Sequence, residues 1–469
     1  MMSTKHPIIY NIDEHRLSTL VFVFFSSWLL SFPFEGRILY ELCKVHNVSP
    51  SNMIFGAVAI HFLGLLSIGF FIKTKSAVKV LMLSSIAICF ISSIAFFFPP
   101  SSLWTVALIF CSFCSSGAIV AWSYYFRDST HKSRRIKTIA DVLIYSNILM
   151  ILLNVSSVYI SPYTGLVLAM IMLCLSFLFG LFLPNEDLPA NPKTESNYNI
   201  SIVRPLAFLY LFIVVITVNS GLMYQVVTPS FSHLGWLTSW YWAIPYILAI
   251  FIIRNLPNRI NRSYILFIAI SMIGLSFVTF MIADKSATSY IIINTLMMGA
   301  FGVNDLFWWS IIGDMIDFDR KPGKILGIGL SANVFGIFIG DLIGESIYSS
   351  GLPAHISSGL ALGVVCVTLV ILPLLHRRLS SLLDDHAFLL FMPIKEHLIQ
   401  KDAPPQFDKL SARESQIAAL LLQGKTYKAI ASELNISENT VKTHIKNIYS
   451  KYNIQSRGQL IDLITEKHS

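Results

Sequence analysis

A basic helix near the end of the chain carries the side chains best suited to bind a polyanion. Residues 437–451 read SENTVKTHIKNIYSK, and Ser437 is a good N-cap because its hydroxyl can accept a free first-turn amide. One face of the predicted helix contains Val441, His444, Ile445 and Ile448. The other face carries Lys442, Thr443, Lys446 and Lys451. Because exposed lysines neutralise phosphates and reach guanine edges, this pattern predicts a helix that binds DNA.

The residues before this helix are predicted to hold it in place. Ser411 and Glu414 form a capping box, in which each side chain satisfies a free backbone amide, and they open a helix that Gly424 ends. Thr426 caps a second short helix, and residues 435–436 make the turn into the basic helix. Two helices joined by a short turn, with the second exposed and basic, are typical of a helix-turn-helix.

Residues 408–466 resemble the LuxR-type DNA-binding domain. The matching letters are Arg413-Glu414, Gly424, Ile430-Ala431, Leu434, Ile436-Ser437, Thr440-Val441-Lys442, His444, Ile448, Lys451 and Ser456-Arg457. The resemblance implies a four-helix domain whose third helix enters the major groove and whose last helix often pairs two domains. By carry-over, Lys442, Thr443 and Lys446 contact promoter DNA, and we extend the predicted interface to Thr440 and Lys451.

The rest of the chain has the composition of an integral membrane protein. Of 469 residues, 54% are hydrophobic and 13% are charged, whereas soluble domains carry about a quarter charged residues. Apolar runs of the length that crosses a bilayer fall near 17–34, 52–72, 80–98, 103–126, 138–160, 166–183, 205–227, 236–253, 264–283, 290–313, 325–349 and 356–375. The six cysteines form no disulfide framework. We find no catalytic arrangement, metal-ligand spacing or cofactor motif, and predict a protein that is not an enzyme.

Lysine and arginine in the loops predict the orientation of these spans. One set of alternate loops holds Lys73, Lys75, Lys79, Arg127, Lys132, Arg134, Arg135, Lys137, Lys193, Arg204, Arg254, Arg259, Arg262, Arg320, Lys321, Lys324, Arg377 and Arg378. The opposite set holds Arg37, Lys44 and Lys285. The bias predicts a multi-pass protein of the cytoplasmic (inner) membrane with both termini in the cytoplasm, on the side where DNA is.

The predicted spans divide six and six at a polar linker, residues 184–203. This layout resembles the major facilitator architecture. The usual glycine- and Asp/Arg-rich signature between the second and third spans is absent from residues 72–80, which disfavours active transport. The predicted fold class is therefore all-α, a polytopic bundle of about twelve spans followed by a small four-helix LuxR-type domain. The domain boundaries are 1–375, a juxtamembrane linker at 376–407, and 408–469.

Polar residues inside the predicted spans are candidates for a ligand pocket, because a charge in a span is costly. Asp305 lies on the tenth span with Asn304, Trp308 and Trp309, and Asn219 lies on the seventh. Further candidates are Trp122, Tyr124, Tyr224, Gln225, Asp341, Glu345 and the isolated His61. The functional interpretation is a site for a small polar or aromatic molecule at Asn219, Asn304, Asp305 and Trp308. The alternative is structural, with Asp305 protonated or bonded to a neighbouring helix. Asp141 is interpreted as a helix cap.

Together these patterns predict a bacterial one-component transcriptional regulator. Its membrane domain senses a small molecule, its helix-turn-helix binds promoter DNA as a dimer, and its further partners are the bilayer and the transcription machinery. The alternatives are a secondary transporter that also reports its substrate, and a transporter-like scaffold that only anchors the regulator.

Overall fold

The computed structural model is helical throughout the part of the chain that it describes. The described residues are 13–34, 36–72, 74–185, 202–257, 262–350, 354–380, 383, 386, 388–389, 410–422, 425–434, 436–452, 454 and 460. They belong to two compact units, Met1–Phe391 and Met392–Ser469. Each unit is described by itself below.

The first unit is a bundle of long apolar helices on either side of the polar stretch at 184–203. The helices before it are α1 (Glu14–Ser31), α2 (Arg37–Val45), α3 (Ser51–Ile68), α4 (Lys75–Ile94), α5 (Ser102–Ser129), α6 (Lys132–Tyr159) and α7 (Pro162–Leu181). Those after it are α8 (Val203–Leu222), α9 (Ile244–Asn255), α10 (Arg262–Ile282), α11 (Ala287–Met315), α12 (Pro322–Ser349) and α13 (Ala354–Ser380). We call α1–α7 the N-half and α8–α13 the C-half. A π-helical turn, Met223–Val227, continues α8.

Nine helices of the described ranges are long and apolar enough to cross a membrane, or ten if the bent pair Ser232–Thr238 and Tyr241–Asn255 forms one span. Every predicted apolar run overlaps a helix or bent pair of this unit. The shorter apolar helix Met53–Ile68 and the helix α1 fall outside that set. The all-helical membrane fold is confirmed, while the count of twelve spans stays a prediction.

Small residues let α8 and α12 approach closely, as expected of glycines spaced along a membrane helix. A Cβ added at Gly340 would lie 2.2 Å from the carbonyl oxygen of Val218, and one at Gly221 would lie 2.2 Å from that of Ile337. Any side chain at either position would therefore collide with backbone. The glycine-rich stretch at 327–340 thus serves helix packing in the C-half.

The second unit contains three described helices, α14 (Ala412–Leu422), α15 (Tyr427–Glu433) and α16 (Glu438–Tyr452). Their apolar faces meet in a separate core that contains Ile417, Ala418, Leu421, Ile430, Ala431, Val441, Ile445, Ile448 and Leu460. The predicted helix end at Gly424 and the predicted last helix, apart from the buried Leu460, lie outside the described residues. A core of this kind fixes α16 against the two preceding helices.

Candidate functional sites

The predicted capping box is present at the start of α14. The backbone amide of Ser411 donates to Glu414 Oε2 at 2.8 Å, and the amide of Glu414 donates to Ser411 Oγ at 3.3 Å. Lys451, at the end of α16, places its ammonium 2.6 Å from the same Glu414 oxygen. The Lys451 hydrogen bond, followed by that from Ser411, lowers the pKa of Glu414 to about 2. The buried carboxylate therefore joins the first and third helices.

Arg413 holds the turn of the helix-turn-helix in place. Its guanidinium donates to the carbonyl oxygen of Leu434 at 2.8 Å, where α15 ends. The amide of Ile436 donates to the carbonyl of Ala431 at 3.0 Å, and Thr426 caps α15 by accepting from the amide of Ala429. These bonds use carbonyls and amides that a helix end would otherwise leave unpaired, so the turn geometry is fixed from both sides.

The basic helix begins as the sequence predicts. Ser437 Oγ accepts the amide of Thr440 at 3.1 Å and also bonds the Thr440 hydroxyl. Val441, Ile445 and Ile448 are buried, whereas His444 is only half-buried. The opposite face is open to solvent, as a helix that enters a groove requires.

The predicted DNA-contacting residues differ in their present partners. Lys442 pairs with Glu438 one turn earlier at 3.1 Å, and the Thr443 hydroxyl donates to the carbonyl of its own helix at Asn439. Lys446 is exposed and has no ion pair among the described residues. The structure thus leaves Lys446 the most available cation on this face.

Lys451 has a partner within the domain in addition to its predicted role. Its side chain is exposed, as the sequence predicts, and its ammonium bonds the buried Glu414. A lysine that neutralises a buried carboxylate has less charge to offer a phosphate. Lys451 thus helps to pack α16, and Thr440 takes part in the cap with Ser437, while their contacts with DNA stay predictions.

A shallow groove of about 360 Å³ lies beside α16. Its lining consists of Tyr427, Lys442, Ile445, Lys446, Tyr449, Ser450 and Ile454. Tyr427, the first residue of α15, is exposed there beside the two lysines. Sequence reasoning did not assign Tyr427 to the interface, because the resemblance carries over only matching letters and Tyr427 is not one of them.

In the membrane unit, Asp305 and Trp308 of α11 are brought together. Trp308 Nε1 donates to Asp305 Oδ1 at 3.1 Å. Tyr246 of α9, which sequence reasoning missed, donates its hydroxyl to Asp305 Oδ2 at 2.9 Å. Both oxygens of the carboxylate are thus held by neutral donors. The signal for Tyr246 in the sequence is weak, since the predicted run at 236–253 contains two tyrosines, Tyr241 and Tyr246, and no pattern distinguishes them.

Asn304 and Asn219 are not joined to this pair by any hydrogen bond among the described residues. Asn304 Nδ2 donates to the carbonyl of Ala300 on its own helix at 2.9 Å, which leaves its Oδ1 buried without a partner. Asn219 on α8 is fully buried, and neither of its amide atoms has a partner in the described ranges. A buried amide without a partner calls for an explanation.

Three aromatic rings from both halves meet at the seam between them. The rings of Phe22 on α1 and Trp122 on α5 stack at 4.0 Å. Trp309 on α11 approaches each of them at 6.4 Å, and it stacks on Trp308 at 5.4 Å. The indole nitrogen of Trp122 is buried without a hydrogen-bond partner in the part of the chain that is described. We call Phe22, Trp122 and Trp309 the seam cluster.

Ion pairs also join the two halves. Arg135 of α6 makes a bidentate bond to Asp317, just after α11, at 3.0 and 2.9 Å, and it donates to the carbonyl of Gly313. Arg254 of α9 makes a second bidentate bond, to Asp141 of α6, at 2.5 and 2.9 Å. The interpretation of Asp141 as a simple helix cap was therefore incomplete, because it bonds the opposite half.

The segment after α13 folds back on the bundle. Phe388 packs its ring 5.5 Å from Phe307, and its carbonyl oxygen accepts the hydroxyl of Ser263. His386 is buried with its Nε2 atom 4.0 Å from Asp314, a carboxylate that lies 3.7 Å from Arg135. We call Leu383, His386, Phe388 and Leu389, which are all buried, the docked segment. It therefore touches the same turn of α11 that binds the N-half.

Two other candidates have structural partners instead. The Nδ1 atom of His61 lies within 3.0 Å of the hydroxyl oxygens of Ser115 and Ser116 and of the carbonyl oxygen of Ser112. Tyr124 donates to the carbonyl of Ile72 at 3.0 Å. The Nδ1 atom of His61 and the hydroxyl of Tyr124 thus bond within the N-half.

The second unit is similar in sequence to known regulators. Residues 408–464 match the family described as bacterial regulatory proteins, luxR family. The chain is 48% identical over 56 residues to a putative HTH-type transcriptional regulator of Aeromonas salmonicida, covering 12% of this chain and 29% of that protein. It is 48% identical over 52 residues to the spore germination protein GerE of Bacillus subtilis, covering 11% of this chain and 70% of that protein.

A third relative is the nitrate/nitrite response regulator protein NarP of Escherichia coli, 51% identical over 51 residues, which are 11% of this chain and 24% of that protein. The membrane unit has a structural relative instead. The human organic anion transporter MFSD10 (TETRAN) superposes with a TM-score of 0.57 at 14% identity, covering 77% of this chain and 100% of that one. At this identity, the likeness is one of fold alone.

Proposed function

The chain belongs to the luxR family of bacterial regulatory proteins, and on this premise we propose that it is a membrane-bound one-component regulator that senses a small molecule. Its DNA-binding domain and its major-facilitator-like membrane region are parts of one polypeptide. The observation that carries the proposal is the Asp305 carboxylate, held by neutral donors inside that membrane region. A charge kept at such a cost is expected to serve a function.

The proposed DNA interface is the exposed face of α16 with the start of α15. Lys446 and Lys442 supply charge, and Tyr427 supplies a phenol at the edge of the groove. Thr443 faces the same side. Two copies would pair on two half-sites about one helical turn apart, as helix-turn-helix dimers do. The residues proposed for pairing follow residue 456, and of them Leu460 is buried in the domain core.

The proposed ligand site contains Asp305, Trp308, Asn304 and Asn219, with Tyr246 as an added member. The unpartnered amide of Asn219 and the free oxygen of Asn304 support it, because each would gain a hydrogen bond from a polar ligand. A ligand shifts a two-state protein only by binding one state better. A ligand that bonds residues on α8, α9 and α11 would bind best to one arrangement of these three helices, and would therefore favour that state of the C-half.

The docked segment is the proposed route from the site to the DNA-binding domain. It sits on α11, within two turns of Trp308, and His386 lies beside the Asp314–Arg135 contact between the halves. A rearrangement of the halves that moved α11 against α6 would disturb this contact and the Phe388–Phe307 packing together. Release or retention of the segment would then set how freely the domain reaches DNA.

Loop charges support a cytoplasmic-membrane location with both termini inside. A cysteine placed at Ser350 should react with an impermeant thiol reagent in intact cells, and one at Ser133 should not. The reverse pattern would overturn the orientation.

A transporter that also reports its substrate is the second candidate. The major-facilitator fold favours it, while residues 72–80 lack the signature of active transport. Uptake of labelled compound by cells that carry the chain without its last 60 or so residues separates the two functions.

A promoter reporter tests the sensing proposal. DNA bound in cells is first recovered and sequenced to name the promoter, and the reporter is then titrated with compounds from the neighbouring pathway. Asp305→Asn and Trp308→Ala should abolish the ligand response at unchanged protein level. A normal dose–response in both variants would mean that these residues are structural.

A further inference from the structure

The charge of Asp305 has no cationic partner in the described part of the chain. Its contacts are the hydroxyl of Tyr246 and the indole N–H of Trp308, both neutral. By contrast, Asp317, Asp319 and Asp141 each bind a lysine or arginine within 3.3 Å. Among the described residues, no lysine, arginine or histidine lies within ion-pair distance of Asp305. The site is therefore complementary to positive charge.

The carboxylate is also reachable. Asp305 and Trp309 stay half-buried within a helix whose other central residues, from Phe301 to Ser310, are buried. The two are four residues apart, so they lie one above the other on the same face. That face is the one on which Trp309 meets Phe22 and Trp122 of the N-half. The open surface of Asp305 thus belongs to the seam between the halves.

A chain of aromatic rings leads away from this carboxylate. The contacts run without a break from Asp305 to Trp308 by a hydrogen bond, from Trp308 to Trp309 by stacking, and from Trp309 to the other two rings of the seam cluster. Indole faces attract cations more strongly than other aromatic side chains do. Trp122 is 2% exposed, and its indole N–H has no hydrogen-bond acceptor among the described residues. A ligand atom could accept this N–H.

We propose that the ligand of this site is an organic cation, an ammonium attached to an aromatic or apolar body that carries a hydrogen-bond acceptor. The ammonium pairs with Asp305, the body lies against the seam cluster, and the acceptor takes the N–H of Trp122. This inference rests on the proposed sensing function and names its ligand class. The fold relative is instead a transporter of organic anions, a class of compound that the Asp305 carboxylate would repel.

Binding would also act on both halves at once. The acid is on the C-half, while Phe22 and Trp122 are on the N-half. A cation that contacts both therefore favours one spacing of α11 from α1 and α5. This gives the ligand the differential affinity that a switch needs.

The test uses the full chain in nanodiscs with three probes of one shape and different charge: 2-phenylethylammonium, 2-phenylethanol and phenylacetate. Tryptophan fluorescence and thermal unfolding report binding. The cation should raise the unfolding temperature and shift the fluorescence, while the alcohol and the anion bind at least tenfold more weakly. Asp305→Asn should lose the preference for the cation, and Asp305→Glu should keep it.

The control variant is Asp284→Asn, because Asp284 is an acid outside the spans whose oxygen accepts from Ser286 and Ser289. It should bind all three probes as the unchanged chain does. Trp122→Phe keeps the ring and removes the N–H. It should leave the binding of 2-phenylethylammonium unchanged, because that probe has no acceptor, and should weaken severalfold the binding of 2-(4-methoxyphenyl)ethylammonium, whose ether oxygen can accept the N–H. Each variant is first checked by size-exclusion chromatography and by its unfolding temperature without probe.

Three results would each overturn the assignment. The first is equal binding of the three probes, and the second is cation binding that is unchanged in Asp305→Asn. The third is no effect of the cation at 10 mM, roughly ten times a weak Kd of about 1 mM. Tighter binding of phenylacetate, with a change in promoter occupancy, would overturn the ligand class while leaving the sensing function standing. If the unchanged chain prefers the cation in nanodiscs but its promoter reporter does not respond to the cation in cells, the sensing function would be overturned and the binding site would stand.

Discussion

Two carboxylates, one in each unit, have their charge satisfied in opposite ways. Glu414 accepts from a backbone amide and from the ammonium of Lys451, so its charge is neutralised within the domain. Asp305 accepts from a phenol and an indole, and its charge has no counterion among the described residues. The ion pair of Glu414 holds two helices together, whereas the negative charge of Asp305 remains able to attract a cation.

Arg135 and Asp317 extend the comparison within the membrane unit. Their pair is nearly as buried as Glu414 and bidentate, yet it joins the two halves of one bundle instead of two helices of one domain. The unit can thus supply counterions where it needs them. Asp305 lacks one at a place where the halves meet around the seam cluster, which points to a role outside folding.

The largest effect should come from the Arg135–Asp317 pair. Asp317→Asn leaves the Arg135 guanidinium buried with only Asp314 nearby, so we expect the bundle to lose about 3 kcal/mol of unfolding free energy. Denaturation of the full chain in detergent measures it. Lys324→Met breaks the more exposed pair with Asp319 and should cost about 1 kcal/mol or less.

A double variant sharpens this test. Replacing both Arg135 and Asp317 with apolar residues removes the unpaired charge along with the pair, so stability should partly return. If the double variant is less stable than Asp317→Asn, the ion pair stabilises the bundle by more than the cost of leaving Arg135 unpaired. The comparison with Glu414 then fails.

Glu414→Gln should cost the isolated DNA-binding domain about 1.5–3 kcal/mol, because hydrogen bonds to a charged group contribute that much. The pKa of Glu414 is lowered from 4.5 to about 2 in the folded domain. A lowered folded pKa stabilises the fold above the unfolded value, and that contribution is lost as the pH falls from about 4.5 towards about 2.

Chemical denaturation of residues 405–469 between pH 6 and about 2.5 checks this window. Glu414→Gln should flatten the acid limb. Glu433→Gln, which breaks an exposed pair with Lys425, serves as the control and should leave the limb unchanged. An acid limb that is equally steep without Glu414 would place its origin in another group.

Lys446→Ala should weaken DNA binding by about 1–3 kcal/mol, and by more than Lys442→Ala, since Lys442 already shares its charge with Glu438. Lys451→Ala should act mainly by lowering domain stability. Gel-shift titration of residues 405–469 beside its unfolding curve separates these effects, with Lys425→Ala as the matched basic control. Unchanged binding in the Lys442/Lys446 double variant would reject the interface.

The smallest change in stability should come from Asp305→Asn. It keeps the side-chain shape and one oxygen that can accept from the Trp308 N–H, and the Tyr246 hydroxyl can turn to accept from the new amide group. The unfolding free energy should therefore change by less than about 1 kcal/mol, whereas the ligand response is lost. Thermal unfolding of the full chain and the promoter reporter are measured together. A large loss of stability would make Asp305 a structural group like Glu414 and remove the contrast between the two units.

The local features of the DNA-binding domain were predictable because they depend on neighbours in sequence. The caps at Ser411, Thr426 and Ser437 and the buried face of α16 follow from side chains within four residues of each other. The partner of Lys451 did not follow, since Glu414 is 37 residues away. Helical periodicity predicts which side of a helix faces solvent, but it does not predict which long side chain on that side will bond a residue of another helix.

The same limit applies more strongly in the membrane unit. Apolar runs and loop charges predicted where the helices lie, and Asp305 stood out as a charge in a span. Arg135 and Asp317 are 182 residues apart, and Tyr246 is 59 residues from Asp305. Such contacts are set by helix packing, which one sequence does not encode in any local pattern. The docked segment lies within the predicted juxtamembrane linker, residues 376–407, and its contacts with α11 are likewise set by packing.

The burial of Arg135 gives the chain two different responses to ionic strength. Exposed lysines release counterions when they bind DNA, so affinity falls steeply with added salt. The Arg135 and Asp317 side chains are 3% and 10% exposed, and a pair shielded from solvent is screened far less. Raising the salt should therefore release DNA from the protein while the Arg135–Asp317 pair between its two halves stays formed.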